Sequence, residues 1–381
     1  MKQLIINNSF SESLHQILKE HNLKKIFIFT GIRNAKRLKN SKIMENYHYN
    51  IFTEFDKNPD VRDVNKAKDL INAYNPDVIL AVGGGSTIDI AKQTNVLAAQ
   101  TNSLMFTEQS LSKDISENNL NIKNNGLPLI AIPTTAGTGS ESTQFSVIYI
   151  NKRKYSIDDP KLLPNFVILD SSFLNGSPTE LIATTGMDAL TQSIESLWSV
   201  NSTEQSRGYA TEAIKIIRDT LEEAYISGYD SGDSGEVMLK AANLSGKAIN
   251  ITRTTAPHAI SYPLTIHFKI PHGHAVALTL SKFFEINSQT NKYKINDLRG
   301  KTHVDSIMKY IFSLFLASSA KECSKNFNKL MDTIGLERNF NKLGIESKAD
   351  IKKITDNIDP NRIKNNPVEI DKETVENILN N

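Results

Sequence analysis

The sequence predicts two successive domains, an α/β domain over residues 1–175 and an all-helical domain over residues 176–381. Two patterns carry this prediction. Apolar, β-branched runs alternate with helical spacing in the first part of the chain, which is typical of a parallel sheet covered by helices. Beyond about residue 179 these runs disappear, and apolar residues recur at i, i+3 and i+4, which indicates amphipathic helices. A chain of 381 residues is long enough for two such domains.

Five segments of the first domain have the composition of strands, and one segment between them has helical spacing. The predicted strands are 24–31, 76–85, 127–135, 144–150 and 165–170. The predicted helix is VRDVNKAKDLINAY at 61–74, and the polar stretch SSFLNGSPTE at 171–180 marks the domain boundary. In the second domain we expect helices within 180–200, 204–226, 236–251 and 306–336, and solvated loops at 116–126 and 356–373.

Composition excludes several classes of protein. Basic and acidic residues nearly balance, with a net charge of +2, which argues against a nucleic-acid-binding surface. The single cysteine, Cys323, excludes an internal disulfide and a cysteine-based zinc site. No apolar run approaches the ~18 residues of a membrane span, and the N-terminus lacks the apolar core of a signal peptide. We therefore expect a cytoplasmic protein.

Two turns that follow predicted strands have the composition of a phosphate-binding site. Gly83, Gly84 and Gly85 come directly after a strand and Ser86 opens a helix, so bare backbone and helix N–H groups could receive a phosphate. The alternative is a plain tight turn. The second turn, at 133–143, could hold a pyrophosphate, a ribose or a nicotinamide amide. Its hydroxyl side chains belong to Thr134, Thr135, Thr138 and Ser140.

Half of the eight histidines lie in one short segment, at His258, His267, His272 and His274. Imidazole is a common metal ligand and a proton carrier near neutral pH, so the cluster predicts a metal or proton-transfer site. Chance clustering of structural histidines is the alternative, and we expect His267 to be structural or exposed.

Four motifs in fixed order resemble the iron-dependent (group III) alcohol dehydrogenase family. They are GGGSTIDIAK (83–92), PTTAGTGSE (133–141), GMDAL (186–190) and HAISYPL…PHGHAVAL (258–278), and the resemblance covers about residues 20–290. It implies a Rossmann-like N-terminal domain, a helical metal-binding domain in the dehydroquinate synthase-like arrangement, and NAD(P) and substrate between them. It also implies a homodimer or larger homo-oligomer. The charge balance and the lack of a long apolar run make nucleic acid and membrane unexpected as partners.

The resemblance implies a metal site made by Asp188, Gln192, His258 and His272. Gln192 departs from the family, which has a histidine four residues after the aspartate. Its amide oxygen could still bind the metal, or a water could replace it. Fe(II) is the expected ion and Zn(II) a possible one. Tyr262 also departs from the family, where a histidine often lies near the nicotinamide.

The resemblance further implies a set of cofactor contacts in the first domain. Gly31 stands where many NAD-using members carry an aspartate, which removes the repulsion of a 2′-phosphate. Arg33, Lys36 and Arg37 could attract that phosphate, so we expect NADPH to be preferred over NADH. The expected cofactor-binding residues are Gly31, Arg33, Gly83, Gly84, Gly85, Ser86, Asp89, Thr134, Thr135, Thr138, Ser140, Ser146 and Lys154.

Three stretches, 137–157, 186–203 and 252–278, resemble a narrower subgroup that reduces phosphonoacetaldehyde to 2-hydroxyethylphosphonate, in which Gln192 and Tyr262 are expected. A phosphonate needs cationic partners, for which Arg253, His274 and Lys154 are the candidates, whereas Lys269 is expected to be a surface charge. In such a reaction the metal polarises the aldehyde and the nicotinamide delivers a hydride. Water, Tyr262 or His274 supplies the proton.

Three other functions stay open at this point. The first is a general iron-type alcohol dehydrogenase that acts on an uncharged short-chain aldehyde or alcohol. The second is a lyase or cyclase of the dehydroquinate synthase type, which uses a different ligand and lysine pattern. The third is a binding protein that has lost its metal through Gln192.

Overall fold

The computed structural model describes residues 3–7, 9–56, 59–100, 107–117, 119–151, 153–230, 232–358 and 360–380. The chain divides into two compact units. The first contains residues 1–135 and 139–173, and the second contains residues 136–138 and 174–381. In the described part of the chain, every helix is too short or too polar to span a bilayer.

The first unit is built on a six-stranded sheet in the order β1-β8-β5-β4-β2-β3, in which every neighbouring pair is parallel. The predicted parallel α/β domain is therefore confirmed. Strands β1 and β3 lie at its edges and are absent from the prediction, because one is only three residues long and the other is interrupted by polar residues. The strands of this unit are Leu4–Ile6 (β1), Lys25–Thr30 (β2), His48–Phe52 (β3), Val78–Gly83 (β4), Leu129–Pro133 (β5), Phe145–Ile150 (β6), Arg153–Asp158 (β7) and Phe166–Ile168 (β8).

One predicted strand was assigned to the wrong kind of sheet. Within the predicted strand at 144–150, Phe145–Ile150 form β6, which pairs antiparallel with β7 and lies outside the parallel sheet. Ile150 pairs with Arg153, so only two residues separate the strands. A connection that short closes a hairpin and cannot make the crossover that parallel strands need.

Alternating side chains of the central strands fill two cores, one on each face of the sheet. Phe27 and Phe29 of β2 belong to one core, whereas Ile26 and Ile28 belong to the other. This period of two is why the runs are apolar throughout. The helices of the unit are Phe10–Glu20 (α1), Ile32–Lys39 (α2), Val61–Tyr74 (α3), Gly85–Ala98 (α4) and Glu108–Ser116 (α5), and α3 has the predicted bounds.

The second unit is helical, as predicted. Its central helix is Thr179–Trp198 (α6), which is buried along most of its length and packs against α7, α8 and α10. The other helices are Glu204–Ser227 (α7), Ser234–Thr252 (α8), Ala256–Phe268 (α9), His272–Ser288 (α10), Lys301–Leu314 (α11), Ala320–Thr333 (α12), Lys348–Thr355 (α13), Pro360–Ile363 (α14) and Lys372–Leu379 (α15).

Three helix and loop boundaries differ from the prediction. The segment 306–336 contains parts of two helices, because Leu316 adopts a left-handed φ of 53° and the hydroxyl of Ser319 caps α12. The predicted loop at 356–373 contains α14 and the start of α15; of its residues, Asp359 lies outside the described part. The predicted loop at 116–126 begins at the last residue of α5, and Asn118 within it is also outside the described part.

Candidate functional site

Three of the four predicted metal ligands come together in the second unit. Asp188 lies on α6, His258 near the start of α9 and His272 at the start of α10, and one ligand atom from each lies within 4.8 Å of the others. Oδ1 of Asp188 is 3.6 Å from Nε2 of His258 and 3.9 Å from Nε2 of His272. Two ligands bound to one tetrahedral ion at about 2.1 Å lie about 3.4 Å apart, so this donor set fits a divalent metal.

A glycine allows these helices to approach. A Cβ placed on Gly273 would lie 1.9 Å from the carbonyl oxygen of Thr184 and 2.8 Å from Cβ of Asp188. The first turn of α10 therefore packs directly on the α6 backbone, which brings His272 beside Asp188. This close contact is the physical reason for glycine after the histidine in the PHG motif.

A buried carboxylate that is absent from the predicted site orients one ligand. Glu195 follows Asp188 by seven residues, two turns along the same face of α6. It is fully buried and accepts a hydrogen bond from Nδ1 of His258. Its Oε1 also accepts from the backbone N (2.9 Å) and the hydroxyl (2.7 Å) of Thr255. A carboxylate on the second nitrogen of a ligand histidine fixes the tautomer that presents the other nitrogen.

The electrostatics of this cluster favour a cation. Burial alone lowers the pKa of His258, but the neighbouring carboxylates Glu195 and Asp188 outweigh burial and raise that pKa to about 9. Nε2 of His258 is buried and makes no hydrogen bond to any described residue. The same carboxylates that stabilise a proton on this ring would stabilise a bound metal ion.

Gln192 lies one turn after Asp188 on α6, as the family spacing requires. Its Oε1 accepts a hydrogen bond from the hydroxyl of Ser245 at 3.0 Å, and its Nε2 is 3.5 Å from the carbonyl oxygen of Thr138. These contacts orient the amide. Ligation through its oxygen stays a prediction.

The remaining residues of the histidine segment have separate environments. The ring of Tyr262 stacks on that of His272, with centroids 5.8 Å apart and planes 20° apart. His274 is buried, and its Nε2–H donates to the carbonyl oxygen of Glu337 at 2.7 Å; burial lowers its pKa. His267 is half-buried near the end of α9, where burial and Lys353 lower its pKa.

Arg253 occupies an unusual backbone conformation between α8 and α9. Its φ of 59° and ψ of 177° lie in a region that is essentially restricted to glycine. Gly228 (φ 73°, ψ −172°) and Gly300 (φ 83°, ψ 179°) adopt the same conformation elsewhere in the unit. The side chain of Arg253 donates to the carbonyl oxygen of Asn250. Lys269 is exposed with a left-handed φ of 59° and ends α9.

In the first unit, the glycine turn lies at the carboxyl end of β4. A Cβ on Gly83 would lie 2.3 Å from the hydroxyl of Thr87, and Gly84 caps the helix that begins at Gly85 and Ser86. The backbone N–H of Thr134 donates to the carbonyl oxygen of Gly83 at 3.1 Å. The glycine turn therefore sits at the end of the parallel sheet, beside the end of β5, where ligands of this fold class bind.

Buried polar side chains support the turn at 133–143. Asp89 accepts from the hydroxyl of Ser140 at 2.5 Å and from the backbone N of Val147 at 2.8 Å. Lys92, which is absent from the predicted site, is fully buried and donates to the hydroxyls of Ser140 and Thr143 and to the carbonyl oxygen of Phe145. Burial lowers the pKa of Lys92 to about 8 against the opposing effect of the nearby carboxylates.

Other predicted cofactor residues lie in the same unit. Ser146 is buried on β6, where its hydroxyl makes no hydrogen bond to a described residue, and half-buried Lys154 lies on β7. The side chain of Thr135 would lie 3.4 Å from a Cβ on Gly84. Thr138 is grouped instead with the second unit.

The end of β2 is open at Gly31, where an added Cβ would meet nothing within 4 Å. Arg33 is exposed on the following helix, α2. Arg37 is engaged within the fold, because its guanidinium donates to the carbonyl and hydroxyl oxygens of Ser172 and lies 3.7 Å from the centroid of the Phe173 ring.

Comparisons with known proteins agree with the motifs. The family model "Iron-containing alcohol dehydrogenase" matches residues 2–171, and "Fe-containing alcohol dehydrogenase family, C-terminal" matches residues 182–381. The chain is 31% identical over 241 residues to phosphonoacetaldehyde reductase of Streptomyces viridochromogenes, across 62% of this chain and 60% of that protein. It is 30% identical over 356 residues to an aldehyde-alcohol dehydrogenase of Streptococcus pneumoniae, across 87% of this chain and 38% of that protein. The matches thus span less than two thirds of either relative.

The fold is similar to that of sulfoacetaldehyde reductase from Bifidobacterium kashiwanohense, solved in complex with NAD+. The TM-score is 0.86 at 26% sequence identity, and the match covers 99% of this chain and 96% of that one. Both family models and this fold lead to one conclusion. The chain belongs to the iron-containing alcohol dehydrogenase family, as its motifs predicted.

Proposed function

We propose that this protein uses a divalent metal and NADPH to reduce phosphonoacetaldehyde to 2-hydroxyethylphosphonate. The observation that carries the proposal is the convergence of Asp188, His258 and His272 in a chain of this family. The similarity to a phosphonoacetaldehyde reductase, and the likeness of the fold to a sulfoacetaldehyde reductase, support a two-carbon aldehyde with a terminal oxyanion.

Asp188, His258 and His272 would hold the metal, and Gln192 is a fourth candidate through its amide oxygen. Fe(II) is our first choice and Zn(II) the second, since one carboxylate and two imidazoles suit both. When bound there, the ion supplies Lewis-acid polarisation of the aldehyde oxygen. Glu195 keeps Nε2 of His258 aimed at the cluster, and the half-exposed ring of His272 leaves a side open to substrate.

The reduction consumes one hydride from the cofactor and one proton. Tyr262 lies against His272, so its hydroxyl is a candidate to deliver that proton, directly or through water. His274 is less suited to this step, because its Nε2–H is held by the carbonyl of Glu337. Water is the alternative proton source, since an unperturbed tyrosine has a pKa of about 10.

We propose NADPH as the preferred cofactor. Gly31 leaves open space where a carboxylate would repel a 2′-phosphate, and exposed Arg33 follows two residues later. The ratio of kcat/KM with NADPH to kcat/KM with NADH measures this preference. A value at least tenfold in favour of NADH would overturn the cofactor proposal.

The phosphonate needs cationic partners, for which Arg253, His274 and Lys154 are the predicted candidates. His274 is the weakest of them, because burial disfavours its cationic form and its Nε2–H is held by the carbonyl of Glu337. Arg253 has the strongest case of the three, because an arginine in a glycine-type conformation costs stability. A side chain retained at that cost is a candidate for function.

The test is NADPH oxidation by the iron-loaded protein with phosphonoacetaldehyde, sulfoacetaldehyde and propanal at equal concentration. A strong preference for phosphonoacetaldehyde, weakened in Arg253→Ala, supports the proposal. A preference for sulfoacetaldehyde would keep the anionic class and change the substrate. Equal or better rates with propanal would favour the general alcohol dehydrogenase, and absence of bound metal would favour a binding protein.

A further inference from the structure

We propose that Arg362, on the short helix α14 near the C-terminus, binds the terminal oxyanion of the substrate and so selects charged aldehydes. This inference rests on the proposed function, which it deepens. It concerns a region that carries none of the family motifs, and it assigns a role to a residue outside the predicted site.

Arg362 belongs to the surroundings of the metal cluster. Its guanidinium carbon lies 5.0 Å from the centroid of the Tyr262 ring. That ring stacks on His272, at 5.8 Å between centroids. The sum of these two distances is the greatest possible separation between the guanidinium carbon of Arg362 and the centroid of the His272 ring. A two-carbon aldehyde whose oxygen meets the cluster carries its oxyanion only two carbons away.

Hydrogen bonds hold this segment in place. Nη1 of Arg362 donates to the hydroxyl of Thr254 at 3.3 Å, and the side chain of Asn365 donates to the Thr254 carbonyl oxygen at 3.1 Å. The carbonyl oxygen of Asn365 accepts from the backbone N of Val200 at 3.1 Å. Thr254 is buried and lies four residues before His258. The position of Arg362 is thus tied to the stretch that leads into the ligand helix.

The chemistry of a guanidinium suits this role. Its charge is permanent, its face stacks on an aromatic ring, and its N–H donors lie in the plane, where they match a phosphonate or a sulfonate. Contact with Tyr262 and binding of an oxyanion can therefore occur together. The side chain of Arg253, by comparison, donates to the carbonyl of Asn250 on the preceding helix, α8.

The experiment compares kcat/KM for phosphonoacetaldehyde, sulfoacetaldehyde and propanal in the iron-loaded wild type, Arg362→Gln, Arg362→Lys and Lys364→Met. Glutamine keeps amide N–H donors but has no charge, and lysine keeps the charge without the planar donors. Lys364 is exposed two residues away, so Lys364→Met controls for loss of one positive charge.

We expect the ratio of kcat/KM for the anionic aldehyde to that for propanal to fall at least about tenfold in Arg362→Gln, mainly through the KM of the anionic aldehyde. The fall should be smaller in Arg362→Lys and absent in Lys364→Met. Whichever oxyanion the wild type prefers, phosphonate or sulfonate, should show the larger loss.

A wild type that prefers an anionic aldehyde, with a preference undiminished in folded Arg362→Gln, would overturn this inference and leave the proposed function standing. A wild type without that preference would overturn both. If Arg362→Gln does not fold, as judged by its thermal melt, Arg362→Lys decides, and an undiminished ratio there counts against Arg362.

Discussion

The carboxylate of Glu195 accepts a hydrogen bond from Nδ1 of His258, which leaves Nε2 of the same ring 3.6 Å from Oδ1 of Asp188. One buried helix, α6, therefore supplies both a candidate metal ligand and the group that orients another. The imidazole is held between two carboxylates. This arrangement defines which nitrogen faces the cluster before any metal is bound.

Replacing Glu195 with glutamine should weaken metal binding without removing a ligand. Loss of a carboxylate behind a ligand histidine typically costs about 10- to 100-fold in metal affinity. Anaerobic titration against a chelator of known affinity measures this change. Glu180→Gln, at the exposed start of the same helix, is the matched control and should bind metal as the wild type does. Equal affinity in Glu195→Gln and the wild type would show that Glu195 does not orient His258.

Gly273→Ala should disrupt the cluster through backbone contact. The added methyl group would lie 1.9 Å from the carbonyl oxygen of Thr184, so α10 must move away from α6 and take His272 with it. Urea denaturation should show a free energy of unfolding that is lower by about 1–3 kcal/mol or more. The metal content should fall as well. Gly208, which lies on α7, is the control, because a Cβ added there would meet no atom within 4 Å. Gly208→Ala should stabilise the protein by up to about 1 kcal/mol. A Gly273→Ala protein with full stability and metal content would contradict the packing argument.

Arg253→Gly should raise the free energy of unfolding by about 1 kcal/mol, because relief of backbone strain exceeds the entropy that glycine adds to the unfolded chain. The reverse change at the same conformation, Gly300→Ala, should lower it by a similar amount. Chemical denaturation of both variants gives the comparison. If Arg253 binds the phosphonate, the stabilised variant should also lose affinity for the anionic aldehyde. A destabilised Arg253→Gly would mean that the side-chain contacts outweigh the strain.

Lys92 should make stability depend on pH in an alkaline window. Its pKa is lowered from 10.5 to about 8 by burial, so between these values the unfolded chain binds more protons than the folded one. The free energy of unfolding therefore rises with pH across that window, by about 3 kcal/mol at most, and this gain is lost as pH falls through about 8. Urea denaturation of the wild type and of Lys92→Met from pH 7 to 10.5 tests this. The free energy of unfolding of the wild type minus that of Lys92→Met should rise with pH across this range. A constant difference would mean that buried Lys92 keeps its proton throughout.

The sequence was sufficient to identify three residues that the structure brings together, but not the residues around them. Asp188, His258 and His272 could be predicted because each lies in a motif with its own neighbours. Glu195 resembles an ordinary polar position of a long helix, and only the folded structure shows that its carboxylate meets a histidine. Arg362 lies about a hundred residues after Tyr262, in a polar stretch whose position depends on hydrogen bonds to Thr254.

The same limit applies to the fold. The central strands were predictable because burial on both faces makes them continuously apolar. The strand Phe145–Ile150 is also rich in apolar residues, but its direction depends on the length of the two-residue connection that follows it. Apolar composition identifies a strand, whereas the length of the connection decides whether its partner is parallel or antiparallel.

Metal content is the measurement that tests the account most directly. Wild type and His258→Ala would be loaded anaerobically with Fe(II), freed of unbound ion and assayed for iron per chain, with circular dichroism to verify that both are folded. The account predicts about one ion per chain in the wild type and only background iron in His258→Ala, because the remaining donors cannot complete the site. Equal iron in the two folded proteins, or none in the wild type, would contradict a metal centre at Asp188, His258 and His272.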